Sequence, residues 1–342
     1  MKLMRAAFAE AIGEPLKLRE VPIPEPGPGE VLVRIAASGV CHTDVSILDG
    51  EWPMKKPRFP VVLGHEATGY VAGLGEGVRT HKEGDRVGVF WLNSACGTCE
   101  DCTTDHEPQC VRQVGTGYNV NGTYADYCVV SESFAVPLPD GPSLEELAPI
   151  LCAGVTSYKA LKTLGARPDS WVVVSGVGGA GHLAIQYATA LGLKVAAIDV
   201  SAEKAALAES LGASFTVNAE KEFPVNRIVH RTGGGAHGVV VTTGAAKAME
   251  QGARMLRRAG TLMVVGVAPE PLPLSVFDLV IKGLSVRGTL IGTRQDVREA
   301  LALVAAGKVR PLVESRTLDD VNGAITALRQ RQVQGRLVLR MT

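Results

Sequence analysis

Four of the seven cysteines fall in one short segment, Cys96-Gly-Thr-Cys99-Glu-Asp-Cys102, followed shortly by Cys110. Thiolate is a soft ligand, and four thiolates at such spacing can close a tetrahedron around Zn²⁺. With all four positions filled by protein, that zinc has no open site and is structural. Spacing alone leaves two alternatives, a pair of disulfides or an incidental cluster of loop cysteines. The neighbours Asn93, Ser94, Gly97, Thr98, Asp101, Thr103, Thr104, Asp105 and Pro108 are polar and turn-forming. They predict a lobe over about residues 93–112 whose shape is set by a metal rather than by an apolar core.

A second constellation is Gly176-Val-Gly178-Gly179-Ala-Gly181, which follows an apolar run and opens a helical pattern. In that context the glycines allow a tight turn, a close approach of backbone to a pyrophosphate, and packing of helix on strand. The helix N-terminus adds N–H donors and positive dipole. Asp199 ends the next apolar run, where a carboxylate can accept from ribose hydroxyls and repel a 2′-phosphate. That favours NAD over NADP. Lys204 can reach the same ribose; alone, it reads as a solvated helix lysine.

Cys41, His65 and Cys152 form a third, dispersed set. Two thiolates and an imidazole leave a zinc one open position for water or substrate. Nothing in the spacing says that the three meet. Singly, Cys152 reads as a small buried hydrophobe and His65 as a hydrogen-bonded core histidine.

The elements that must position these residues divide in two. Residues 1 to about 90 read as short strands with glycine-rich turns, among them Val31–Ile35, Glu66–Leu74 and Asp85–Phe90, and Gly122–Val130 continues in strands. From Val155 apolar runs alternate with helical stretches: strand Trp171–Val174, helix Gly181–Leu191, strand Lys194–Ile198, helix Ala202–Leu211. Strands at Phe215–Val217, Val239–Val241, Leu262–Val265 and Leu284–Val286 extend the pattern, which predicts a doubly wound parallel sheet. A helix Asp296–Ala306 and a strand Leu337–Leu339 close the chain. The fold class is therefore α/β: a β-rich domain with its metal lobe over 1–153, a Rossmann-type dinucleotide domain over 154–291, and a return to the first domain over 292–342. The length, 342 residues, suits two such cores.

The formal net charge of zero gives no footprint for nucleic acid or an anionic membrane. No apolar run has the length of a membrane span, and Met1-Lys2-Leu3-Met4-Arg5 lacks the apolar core of a signal peptide. An odd cysteine count with metal-type spacing points to a reducing compartment, the cytoplasm.

Six stretches carry a resemblance: Gly39-Val-Cys41-His-Thr-Asp44, Gly64-His-Glu66, Trp91-Leu-Asn-Ser-Ala-Cys96, Cys152-Ala-Gly-Val-Thr156-Ser-Tyr-Lys-Ala-Leu161, the glycine loop, and Gly335-Arg336. With them the sequence resembles, over essentially its whole length, the zinc-dependent alcohol dehydrogenases of the medium-chain dehydrogenase/reductase superfamily, of the compact tetrameric bacterial and yeast type. The resemblance implies a GroES-like catalytic domain beside the Rossmann domain, and reversible oxidation of small alcohols to aldehydes or ketones with hydride transfer to NAD. It implies two zinc ions per chain, Cys96, Cys99, Cys102 and Cys110 on the structural one and Cys41, His65 and Cys152 on the catalytic one. Cys₂His is the ligand set by which alcohol dehydrogenase zinc is generally described, so that assignment rests on the resemblance.

The same resemblance places Asp44 behind His65 and Glu66 near the metal, and gives Thr43 a hydrogen bond to the alcohol. His42, Gly178, Gly179 and Arg336 would surround the pyrophosphate, with Gly176 and Gly181 in the same cofactor-binding loop, Thr156 and Val267 the nicotinamide, and Asp199 and Lys204 the adenosine ribose. Trp52 and Trp91 would narrow the substrate pocket, favouring small primary alcohols; without the family each reads as a half-buried core aromatic. A homotetramer is implied. One departure matters: many relatives carry a histidine at the end of a proton relay where this chain has Ser46. Water reaching the ribose directly, in a cleft kept wet by His42 and Asp49, would replace it. Cys128 reads as a packed strand residue, and His81, His106, His182, His230 and His237 suggest no role. Two rivals remain: a polyol, threonine or cinnamyl/benzyl dehydrogenase of the same superfamily, and a non-catalytic NAD or zinc sensor. The sensor predicts a missing catalytic ligand, and none is missing.

Overall fold

The computed structural model describes residues 2–52 and 57–341. The chain forms two compact units, one of residues 1–153, 291–305 and 311–342, the other of residues 154–290 and 306–310.

The first unit is built on the strand Glu30–Val40. Its apolar residues Val31, Val33, Ile35, Ala37 and Val40 are buried, and so is Ser38. A strand covered on both faces must be paired on both edges to satisfy its backbone. It pairs antiparallel with Ala67–Leu74 on one side; on the other, Tyr127–Ser131 takes its first half and Arg336–Arg340 its second. The register Leu337↔Val40 and Leu339↔Ser38 carries the last strand of the chain onto the residues just before Cys41. Arg86–Val89 and Val136–Pro137 extend the sheet at one end and Val313–Thr317 at the other. A separate small sheet joins Lys17–Pro22, Leu3–Ala9 and Val61–Val62.

Beyond Cys41 the chain turns into the helix His42–Leu48, with Val45, Ile47 and Leu48 buried. The 3₁₀ turn Ala148–Leu151, buried throughout, leads to Cys152. One expectation is corrected here. Regular strand does not run from Gly122 to Val130; it begins at Tyr127. Residues 122–124 instead lie along 62–64, with Gly122 N donating to Val62 O (2.7 Å), Tyr124 N to Leu63 O (2.9 Å) and Thr123 N to Gly64 O (3.1 Å). The approach demands glycine, because a Cβ on Gly122 would stand 2.2 Å from Gly64 O.

The second unit holds a six-stranded parallel sheet in the order Phe215–Asn218, Lys194–Asp199, Trp171–Ser175, Ala236–Val241, Leu256–Val264, Ser285–Gly288. Helices on both faces bury the central strands, which therefore read as unbroken apolar runs such as Val172-Val-Val174. The core gathers Val173, Ile198, Val217, Ile228, Val239, Val241 and Leu262. Chain order reverses at Trp171–Ser175, the switch point where a doubly wound sheet opens a ligand crevice at its carboxyl end. The glycine loop leaves from that end into the helix Gly181–Ala190.

Candidate active site and metal centres

The two groups of metal-type donors among the described residues are Cys96, Cys99, Cys102 and Cys110, and Cys41, His65, Glu66 and Cys152. Within each, the ligand atoms lie within 4.8 Å of one another.

In the first group the Sγ atoms of Cys96 and Cys102 are 3.8 Å apart and those of Cys110 and Cys96 3.6 Å. A disulfide needs about 2.05 Å, so all are free thiols on a common centre. Backbone N–H groups of Thr98 and Cys99 hold the Cys96 thiol down at about 5, while burial pushes Cys102 up to about 12. Four free thiols at this spacing suit a divalent cation that takes all four as thiolates. The lobe is tied down by Glu107, which is 5% exposed. Its carboxylate accepts from Arg294 N (2.5 Å) and from Arg294 Nε (3.0 and 3.2 Å) and Nη2 (2.9 Å).

The second group is assembled by the sheet. Cys41 follows the strand Glu30–Val40, His65 and Glu66 precede the neighbouring strand Ala67–Leu74, and Cys152 follows the 3₁₀ turn. Cys41 and Cys152 Sγ atoms are 3.8 Å apart. The contact pulls the Cys41 thiol well below its usual range and pushes Cys152 well above it. Burial works against a charged His65, yet Asp44 and Cys41 hold its pKa well above the ordinary value. Asp44 Oδ1 lies 3.3 Å from His65 Nδ1, which leaves Nε2 for the thiols.

Glu66 is fully buried. Burial, against the pull of Arg336, raises its pKa to about 8. Its Oε1 accepts a short hydrogen bond from Arg336 Nη2, and its Oε2 is buried with no hydrogen-bond partner among the described residues. Gly39 makes room for it, since a Cβ there would stand 2.6 Å from Glu66 Cδ. An orphaned carboxylate oxygen, two thiols 3.8 Å apart and an oriented imidazole are the donor set of a zinc site, and the residues fit that metal.

Trp91 stands edge-on to the His65 ring, 5.4 Å between centroids at 84°, and Trp52 lies 6.3 Å from Trp91. Trp91 is buried against His65, and Trp52, one ring further out, is half-buried with no partner for its Nε1 among the described residues. Thr43 is half-buried and His42 exposed in the first turn of the helix His42–Leu48. Ser46 is half-buried in the same helix. Asp49 is not a free carboxylate, since both its oxygens are held by Arg329, at 2.5 and 3.1 Å. Arg336 lies buried in this unit against Glu66.

In the second unit Gly176 takes φ +94°, and a Cβ on Gly181 would collide with Gly176 O at 1.8 Å. Gly178 needs neither exemption, and the space its Cβ would fill is open. Such a bare cradle before a helix N-terminus fits a dinucleotide pyrophosphate. Asp199 Oδ2 accepts from Val177 N at 2.7 Å, and Oδ1 from Val200 N (2.8 Å) and Ser201 N (3.1 Å). Lys204 is half-buried in the next helix, Thr156 half-buried in the helix Ala153–Leu164, and Val267 exposed. Cys128 is buried in Tyr127–Ser131, where burial raises its pKa to about 12.

Sequence reasoning passed over Tyr124. Its phenol is fully buried and donates to Asp44 Oδ2 at 2.7 Å. No spacing signal marks it; the only trace is Gly64 beside His65, whose missing Cβ leaves room for the Tyr124 ring.

This pairing of a thiolate-rich β unit with a glycine-loop parallel sheet defines a zinc-binding dehydrogenase. Two family models match the chain, "Alcohol dehydrogenase GroES-like domain" over residues 27–140 and "Zinc-binding dehydrogenase" over residues 179–306. The chain belongs to the zinc-dependent alcohol dehydrogenase family of the medium-chain superfamily. It is 46% identical over 339 residues to an alcohol dehydrogenase of Moraxella sp., covering 99% of this chain and 100% of that one. The alcohol dehydrogenase of Aeropyrum pernix has a similar structure, with TM-score 0.91, 33% identity, and coverage of 98% of this chain and 99% of that one. A solved NAD-dependent alcohol dehydrogenase matches with TM-score 0.91 and 32% identity, covering 99% of this chain and 100% of that one.

Proposed function

We propose that the chain oxidises small primary alcohols, reversibly, with NAD as hydride acceptor and zinc held by Cys41, His65 and Cys152. The observation that carries this is the convergence of those three ligands with the partnerless Glu66 Oε2. Residues 1–153 and 292–342 serve as the catalytic domain and 154–291 as the NAD domain. When bound, zinc supplies Lewis acidity toward an alcohol or carbonyl oxygen, and NAD supplies the place for the hydride.

The chain's own residues hold and orient. Asp44 fixes the His65 tautomer, with Nδ1 toward its carboxylate and Nε2 toward the metal group. Glu66 Oε2 stands in reach of the same place, braced through Oε1 by Arg336. Thr43 Oγ1 would accept a hydrogen bond from the substrate hydroxyl and relay its proton by passing its own on to the ribose hydroxyl and from there to water. Gly176, Gly178, Gly179 and Gly181, with His42 and Arg336, serve the pyrophosphate. Asp199 and Lys204 serve the ribose, and Thr156 and Val267 the nicotinamide. The Asp199 carboxylate repels a 2′-phosphate, so NAD is preferred. Trp52 and Trp91 limit the substrate beside His65, which favours ethanol-sized alcohols over benzyl alcohol or sorbitol. Cys96, Cys99, Cys102 and Cys110 hold the second, structural zinc.

The working form is a homo-oligomer, a tetramer. The strand Ser285–Gly288 is a sheet edge, and Val276, Phe277, Val280 and Ile281 of the helix Val276–Lys282 are 73, 73, 71 and 49% exposed. A second copy meeting this edge about a two-fold axis would pair the strand with itself and cover the apolar side chains. Two thiolate metal sites support a reducing compartment, the cytoplasm. Among the described residues no helix is long and apolar enough to cross a membrane.

The test is NADH formation with ethanol, benzyl alcohol and sorbitol, using NAD and NADP, with light scattering for mass. Ethanol with NAD should lead. Sorbitol or NADP leading would overturn the substrate or the cofactor assignment.

A further inference from the structure

Asp44 is an unusually loaded carboxylate. Its Oδ2 accepts from Cys41 N (3.1 Å) and Tyr124 OH (2.7 Å), and its Oδ1 from Gly64 N (3.2 Å) and faces His65 Nδ1 (3.3 Å). The tyrosine supplies the shortest of these contacts and the one hydroxyl donor among them. Its ring is wedged where a Gly64 side chain would be, 2.6 Å from the position of a Cβ. Its backbone N–H is fixed on Leu63 O. The ring therefore touches the chain next to His65 and its hydroxyl touches the carboxylate that orients His65. Burial and the Asp44 charge keep it a phenol, and so a donor.

We infer that Tyr124 is a positioning residue for the catalytic metal: through Asp44 it fixes the angle at which His65 presents Nε2, and so the affinity and symmetry of the ligand field. The inference rests on the proposed use of Cys41, His65 and Cys152 as zinc ligands. Its physical basis is that a carboxylate with both oxygens pinned cannot rotate, and a ring bonded to it cannot either. Groups behind a metal-bound histidine commonly change metal affinity by about 10–100-fold when lost. Tyr124 stands one bond further out, so the low end, about tenfold, is the expected effect.

A nearby hydrogen bond gives the control. Ser38 Oγ and Thr123 Oγ1 are 2.7 Å apart and buried, and they hydrogen-bond each other rather than Asp44. Tyr124→Phe and Ser38→Ala each remove one buried hydroxyl from the same region. Zinc release to a chromogenic chelator is followed on the purified, fully loaded chain, and the catalytic phase is identified as the one missing from Cys152→Ser. Cobalt(II) is then placed in the same site and its visible d–d bands recorded.

The expected result is that Tyr124→Phe releases catalytic zinc about tenfold faster and shifts the cobalt bands. Ser38→Ala should keep the parent's rate and spectrum whatever it does to the melting temperature, and the structural zinc phase should be unchanged in both. Parent-like release and spectrum in Tyr124→Phe would overturn the inference while leaving the zinc site standing. Equal acceleration in both variants would also overturn it, showing a general loosening. A parent with no phase lost in Cys152→Ser would overturn the zinc assignment and this inference together.

Discussion

Gly39→Ala should damage the site from behind. The added Cβ would stand 2.6 Å from Glu66 Cδ, 2.7 Å from Oε2 and 2.8 Å from Cγ, where carbon contacts are at ease at about 3.5–4.0 Å. Relief requires the Glu66 side chain to move, because Gly39 lies inside the paired strand Glu30–Val40. That side chain is fully buried and bonded to Arg336. Overpacking costs about 1–3 kcal/mol, and breaking a buried ion pair about 3–5 kcal/mol. Since Glu66 is displaced and not deleted, about 3 kcal/mol is the reasonable value. In a domain of this size that lowers Tm by about 6–12 °C. Zinc content should fall toward one per chain, because the displaced carboxylate disturbs the Cys41, His65 and Cys152 group. Gly73→Ala is the control: its Cβ would meet Leu32 at an ordinary 3.6 Å, and its φ is not in the left-handed region. The assay is differential scanning fluorimetry with zinc analysis of both variants. If Gly39→Ala kept the parent's Tm and two zinc ions, the packing argument around Glu66 would be wrong.

Cys99→Ser should leave one zinc per chain and raise aggregation on heating, read by metal analysis and light scattering; a variant as stable as the parent would refute the structural role of the lobe. Asp199→Gly should raise the KM for NAD and relax discrimination against NADP. It should also loosen the glycine loop, because Asp199 holds Val177 N, so NADP should not recover the parent's efficiency with NAD. Thr43→Ala should lower turnover by about 10²–10⁴-fold, the range for losing a positioned proton-transfer group. Ser46→His should change mainly the pH profile of turnover; a large gain at neutral pH would show that proton release limits the parent.

Much of the architecture was legible because its signals are local. The alternation of apolar runs with helical stretches after Val155 marks the parallel sheet, and the glycine loop marks its switch point. The cysteine lobe was legible for the same reason, since its four ligands are close in sequence. The helices Ala153–Leu164, Pro224–Arg231, Ala246–Arg254 and Val321–Arg329 were not picked out. The first carries Gly154, Val155 and Thr156 at its start, and the second is short and opens on Pro224, so neither advertises itself by propensity. The dispersed metal group was legible only through resemblance. Cys41, His65 and Cys152 meet because Glu30–Val40 pairs with Ala67–Leu74 and the turn Ala148–Leu151 is buried nearby, and pairing partners are not written in periodicity. Two details escaped. Asp49 had suggested a wet cleft, but Arg329 holds it; Tyr124 had suggested an ordinary strand, but it reaches Asp44.

The most direct measurement of the central claim is NADH formation from ethanol by one preparation in three states: fully loaded, stripped of the zinc that Cys152→Ser cannot hold, and reloaded with one equivalent of zinc. The predicted result is turnover in the first state, none in the second and recovery in the third, with the structural zinc retained throughout. Turnover that persisted in the stripped protein, or in Cys152→Ser itself, would contradict the assignment of Cys41, His65 and Cys152 as the centre of the reaction.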